Sequence, residues 1–144
     1  MANKIQNFDT GEKDNSNIIH LDLDPKINIE NKIYFKNLLK KIAECSLDDL
    51  EENLENLYHV DAEFNGFHPI NEIKGIEEIK NKYLIPLKKA FPDLERRNNL
   101  VIGGAFRDKV FVSFISHLTG TFRNEWLGVK PTNKTIYLRT CEAH

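Results

Sequence analysis

A few side chains in this sequence have the type and setting to move a proton or hold a charge. His68, in Phe67-His68-Pro69, offers an imidazole that can give or take a proton near neutral pH, and it is the first candidate for acid/base work. The plain alternative is a loop histidine bonded to a backbone carbonyl. Arg139 can anchor a carboxylate or stabilise oxyanion charge developing on a carbonyl; its alternative is a cross-strand ion pair. His117 lies within the apolar run Val110–Thr119. Asp61 and Glu63, two apart, have the types to share a proton or bind a cation, but no histidine converges on them. A solvated strand face is the better reading, and no metal is expected. Cys45 and Cys141 match no ligand spacing and read as two reduced, partly buried thiols. Gly103-Gly104 does not make a phosphate loop, and no Ser, Cys or Lys stands in a nucleophile context. No cofactor is implied.

Composition narrows the setting. At 144 residues the chain fits one domain, able to bury roughly 68–70% of its unfolded surface. Apolar residues make up 40% and aromatics 10%, ample for a core. The net charge is −2 with both signs interspersed, whereas a nucleic-acid surface would show a basic excess. No run approaches the ~18 apolar residues of a membrane span, and Ile18-Ile19-His20-Leu21 is too short for a signal-peptide core. The expectation is a cytoplasmic protein binding neither nucleic acid nor membrane.

The elements that must position these residues follow from periodicity. Residues 1–26 are polar and aperiodic and read as a flexible arm; 27–144 read as a single domain. Phe35, Leu38, Leu39 and Ile42 form a helical stripe ending near Cys45. Ser46 then resembles an N-cap, with Asp48 and Asp49 favouring the positive end of the dipole, and Leu47, Leu50, Leu54 and Leu57 continue a second helix. Tyr58 to Phe64 alternates and predicts a half-buried strand, broken by Asn65-Gly66. Ile76, Ile79, Tyr83, Leu87 and Ala90 mark a third helix from Gly75, kinked by Pro86 and closed by Pro92. Strands follow at Leu94–Ile102, before Gly103-Gly104 and a turn near Arg107-Asp108, then at Val110–Thr119 and Thr135–His144. The link from Gly120 to Asn133 is irregular. Helices before an antiparallel sheet make an α+β architecture.

Alternation sorts the candidates by face. Val110, Val112, Phe114 and Leu118 form the more apolar face of their strand; if it packs on the helices, His117 points away from them. Arg139 sides with Tyr137 and Cys141, and Glu142 with Leu138 and His144, so the two share a face only across a bulge.

Several segments together resemble a known family. The turn Ala90-Phe91-Pro92-Asp93-Leu94 is similar to the "aFPDl" helix end of SnoaL-like proteins of the NTF2-like superfamily. Gly120-Thr121-Phe122, Trp126-Leu127-Gly128-Val129 and Pro131-Thr132-Asn133-Lys134 resemble that family's "GtF…WLGi.PTGk" segment. Asn133 stands where glycine is usual, and asparagine tolerates the left-handed backbone such a turn needs. Arg139 and Glu142 stand where relatives often show an "R..E" pair. The resemblance spans about Tyr34 to His144.

That resemblance implies an NTF2-like cone, with N-terminal helices packed on a curved, mostly antiparallel sheet around a pocket. It implies pocket or ligand contacts at Tyr58, Phe67, Tyr83, His117, Trp126 and Glu142, with His68 and Arg139 as catalytic candidates. The expected ligand is a small hydrophobic or carbonyl-containing molecule. The expected activity is cofactor-independent cyclisation or isomerisation by proton transfer next to a carbonyl. The alternative is a non-catalytic ligand-binding or dimerisation module. SnoaL-like proteins continue with a Gly-Lys-Ile turn and a further strand, which carries an acid/base aspartate in the cyclases. Here the sequence stops at His144, implying a shortened chain or an edge completed by a partner, and a homodimer is the expected assembly.

Overall fold

The computed structural model describes residues 24–106 and 109–144. Residues 1–23, most of the expected arm, and the expected turn at Arg107-Asp108 lie outside the described residues.

Helix α1 runs Pro25–Glu44 and takes in the last two residues assigned to the arm. The Asp24 carboxylate accepts from the Lys26 amide at 2.7 Å, and Pro25 occupies the first turn, where no amide is missed. Helix α2, Leu50–Glu55, starts later than Ser46 suggested. The Ser46 hydroxyl still accepts from the Asp49 amide, at 3.2 Å. Ile42, Leu50 and Leu54 are buried together where the two helices meet.

The strand expected at Tyr58–Phe64 is mostly absent; strand β1 is Glu63–Asn65 only, paired with β2, Glu72–Lys74. The physical reason lies in the backbone partners. The Tyr58 amide bonds back to Leu54, and Ala62 bonds back to His59. The carbonyls of Val60 and Ala62 accept from Ile76 and Gly75 rather than from a neighbouring strand. Alternating side chains thus ride on turns.

The third helix begins after Gly75, whose φ of 84° suits glycine. It is α3 (Ile76–Ile79), a π-helical turn (Lys80–Leu84) and α4 (Ile85–Ala90) in unbroken succession. Pro86 brings no amide and crowds the preceding turn. The helix responds by widening, with the Ile85 amide reaching back to Lys80. Leu94 ends the following turn by bonding to Phe91.

Strands β3 (Glu95–Phe106), β4 (Lys109–Thr121) and β5 (Thr135–Ala143) form an antiparallel sheet in that order. Gly103-Gly104 does not end β3 but lies inside it. Asn28 of α1 donates to the Gly103 carbonyl at 3.1 Å. A Cβ on Gly103 would lie 2.1 Å from the Asn28 Oδ1 atom, so the glycine admits the helix onto the strand. The face bearing Val112, Phe114, Ser116 and Leu118 is buried against the helices. A bulge between Asn98 and Leu100 leaves Asn99 without a partner on β4.

The motif segments pack on one another at the end of this sheet. Asp93 accepts from the Thr121 amide at 2.7 Å and from its hydroxyl at 2.6 Å, and these bonds hold its carboxyl below the usual range. A Cβ on Gly120 would crowd Phe91 at 3.2 Å, and Phe91 stacks on Phe122 at 5.1 Å. Leu127 and Gly128, with φ of 53° and 78°, form a two-residue turn between Trp126 and Val129. Asn133 takes the left-handed backbone, φ 55°.

Candidate functional site

A cavity of about 880 Å³ lies between α1, the kinked third helix and the inner face of the sheet. Phe35 and Leu39 reach it from α1, Leu87 from α4, Leu118 from β4 and Leu138 from β5. Phe64 stacks on Tyr83 at 4.8 Å, and Phe67 meets Trp126 edge-on at 6.1 Å. The π-helical turn carries Tyr83, so the distortion forced near Pro86 also sets that ring against the cavity.

Polar side chains also line the cavity, among them His59, Glu63, Asn65, Lys88 and Thr140, and the most extensively bonded polar group is built around Arg96. Arg96, 5% exposed at its side chain, donates through Nη1 to both carboxylate oxygens of Glu142, at 3.0 and 3.1 Å. Its Nη2 donates to the Ser116 hydroxyl at 3.0 Å and its Nε to the Asn98 carbonyl at 2.9 Å. Ser116 donates in turn to the same Asn98 oxygen at 2.9 Å. The guanidinium also lies 5.5 Å from the Phe114 ring centre. Every edge of the cation is therefore partnered, and the carboxylate is fixed in place.

His144 completes the group. Its Nε2 is shut off from solvent 3.5 Å from Glu142 Oε2, and its ring lies among Phe35, Tyr58 and Phe114, with centres 5.7–6.3 Å apart. Burial alone would raise the Glu142 pKa. His144, the Arg96 charge and Thr140 outweigh it and bring the carboxyl down to about 2. Burial, helped by the Glu142 charge, pushes the Tyr58 phenol up to about 12 and the Tyr83 phenol higher still. Both hydroxyls are therefore neutral donors beside a permanent carboxylate.

The expected site residues divide between the two sides of the sheet. Tyr58, Phe67, Tyr83, Trp126 and Glu142 line the cavity. His68 is exposed on the loop beyond Phe67 and is not part of the lining. His117 stands on the opposite face of the sheet, its Nδ1 2.6 Å from Asn99 Oδ1. Arg139 pairs with His117 across the strands; it borders the cavity, but strand parity puts it in that outer, exposed row. Arg139 and Glu142 do occupy different faces of β5, with no bulge between them. Asp61 and Glu63 are exposed, and no three His, Cys, Asp or Glu side chains converge as a metal site would need among the described residues. Cys45 is half-buried, whereas Cys141 is exposed, because it shares the outer row's parity with Arg139.

Arg96, Ser116, Asn98 and His144 were not among the sequence candidates. One signal was available: Arg96 and Asn98 share the parity of Leu94, which marks them as inward-facing if the strand is regular. A buried arginine needs a carboxylate, and Glu142 is the carboxylate on the inner row of β5.

No protein-family model and no curated protein matches the chain. Solved structures do. A candidate SnoaL-like polyketide cyclase from Jannaschia sp. CCS1 matches with a TM-score of 0.62 at 20% identity, over 85% of this chain and 80% of that one. AclR from Streptomyces galilaeus, a candidate hydroxylase, matches with a TM-score of 0.59 at 21% identity. That match covers 81% of this chain and 66% of AclR, so the chain spans just under two thirds of that protein's length. At such identities the likeness establishes architecture: the chain has the α+β fold of these two structures.

Proposed function

We propose that this protein binds a small, largely apolar carbonyl compound in its cavity and moves a proton next to the carbonyl, without a cofactor. The observation that carries this reading is the set Arg96, Glu142 and His144 beside the apolar and aromatic side chains of the cavity. With an Nε2 proton directed from His144 at the Glu142 carboxylate 3.5 Å away, Nδ1 is left as the nitrogen that takes a proton from the carbon beside the carbonyl. Tyr58 and Tyr83 are neutral donors, suited to the oxygen on which enolate charge develops. Glu142 itself, already stabilised as an anion by Arg96, is too weak a base for that step.

The test is deuterium exchange at the carbon next to the carbonyl, followed by proton NMR in D2O, using cyclic aromatic ketones first shown to bind by native mass spectrometry. Wild-type protein accelerates exchange, and His144→Ala binds the same ketone but loses roughly a hundredfold or more of the rate. His68→Ala leaves the rate unchanged. Equal rates for wild type and His144→Ala would refute the assignment. Binding without any exchange would instead favour the ligand-binding module.

A further inference from the structure

The outer face of the sheet carries a second group of functional side chains that the cavity does not use. Strand register places Arg97 opposite His117, and His117 opposite Arg139. The three form one transverse row across β3, β4 and β5. Neighbouring strands lie about 4.8 Å apart, so the two guanidinium groups start from positions about 10 Å apart with an imidazole midway. Their long side chains can close on a single group above the His117 ring.

Two features show that the row is built rather than incidental. The bulge after Asn98 frees Asn99 from pairing, and Asn99 Oδ1 then lies 2.6 Å from His117 Nδ1. A carbonyl oxygen can only accept, so with this amide orientation the Nδ1 carries the proton and the Nε2 edge faces outward. The two guanidinium groups lie two strands apart with the imidazole between them, and Arg139 has no ion pair among the described residues. Arg97 has one carboxylate contact, Glu95 at 3.2 Å, between side chains 70% and 58% exposed; such a pair is worth little and yields readily to a stronger anion.

We propose that Arg97, His117 and Arg139 form a binding site for a phosphate group on the outer face of the sheet. Two guanidinium forks and, in the imidazolium form, the His117 Nε2–H match the three terminal oxygens of a phosphate monoester better than the two of a carboxylate. The flanking rows suit the organic part of an ester: Tyr137 is 68% exposed on one side, and Leu100 is 46% exposed on the other. Free phosphate and a phosphate ester share this chemistry, and the flanking side chains favour the ester. The site is independent of the cavity and of the reaction proposed for it.

The experiment is isothermal titration of the full chain, at low ionic strength, with inorganic phosphate, phenyl phosphate and benzoate. Phenyl phosphate binds most tightly, inorganic phosphate more weakly and benzoate weakest. Arg139→Gln and Arg97→Gln each weaken phenyl phosphate by about tenfold, the loss of one charge-assisted contact. Glu95→Gln strengthens it a fewfold by removing the competing carboxylate. Tyr137→Ala weakens phenyl phosphate but not inorganic phosphate, which separates the ester from the free ion. All four positions are exposed, so the variants keep the fold, and circular dichroism checks this. Unaltered affinity in Arg139→Gln, benzoate binding as well as phenyl phosphate, or no phosphate binding by wild type would each overturn the proposal. So would a dimer that buries this face at the titration concentration.

Discussion

Replacing Glu142 by Gln removes the charge on which the inner polar group depends. The carboxyl's fall from an ordinary 4.5 to about 2 corresponds to about 3 kcal/mol of preference for the ionised form in the folded chain. That figure is the net after the opposing cost of burial, and since the side chain is 26% exposed it is an upper bound on what the ionised carboxyl adds to stability. Breaking a buried pair by removing one partner costs about 3–5 kcal/mol, because the other charge is left behind. Arg96 is the buried remainder here, and the oxygen of the substituted amide would retain one of its contacts. We therefore expect Glu142→Gln to lose about 2–3 kcal/mol at pH 7, a large share of the 5–15 kcal/mol typical of a domain. The pH dependence has a definite sign. The folded chain holds the carboxyl below its unfolded pKa, so the unfolded state binds more protons in between. The stabilisation is complete above about pH 4.5 and is lost as pH falls through about 2. Urea unfolding followed by circular dichroism at pH 7, 4 and 2.5 measures both effects. Wild type weakens across that window; Glu142→Gln starts weaker and changes less. Replacing both partners, Arg96→Met with Glu142→Leu, recovers most of the loss. An unchanged urea midpoint at pH 7, with the wild-type acid response intact, would refute this account of the ion pair.

Two further substitutions test the scaffold. Gly103→Ala puts a methyl group against Asn28 and costs about 1 kcal/mol, and adding Asn28→Ala restores part of it; urea midpoints decide, and additive losses would refute the contact. Lys88→Met removes two ammonium bonds, to the Ala43 and Cys45 carbonyls at 2.9 and 2.7 Å, which close the end of α1. It should cost about 2–3 kcal/mol with an unchanged urea slope, although burial already holds that ammonium below its usual pKa.

Much of the fold was legible because it rests on local signals. The stripe Phe35, Leu39, Ile42, the proline at position 86 and the alternation of Val112, Phe114 and Leu118 each act through neighbours in sequence. The errors arose where a tertiary contact overrode a local pattern. Tyr58 to Phe64 alternates, but its carbonyls serve the start of α3. Gly103-Gly104 resembles a strand end, yet the glycine exists to let α1 approach. The motif residues have a similar explanation: Asp93, Gly120 and Phe122 fasten the helix end to the sheet, which supports the architecture without defining its chemistry.

The candidate site was harder to read because its members come from different strands and meet only through register. Glu142 was visible as a polar residue on an inner row, but its partner Arg96 lies 46 residues away. Arg139, three residues from Glu142, is the nearer arginine, but an odd spacing on a regular strand puts the two side chains on opposite faces. The same rule separates His117 from Ser116. One sheet thus carries two sets of charges back to back: Arg96 and Glu142 inward, where burial demands that each cation have its anion, and Arg97 and Arg139 outward, where solvent tolerates an unbalanced row. Neutralised charge inside holds a site in shape. Unbalanced charge outside is free to take a ligand.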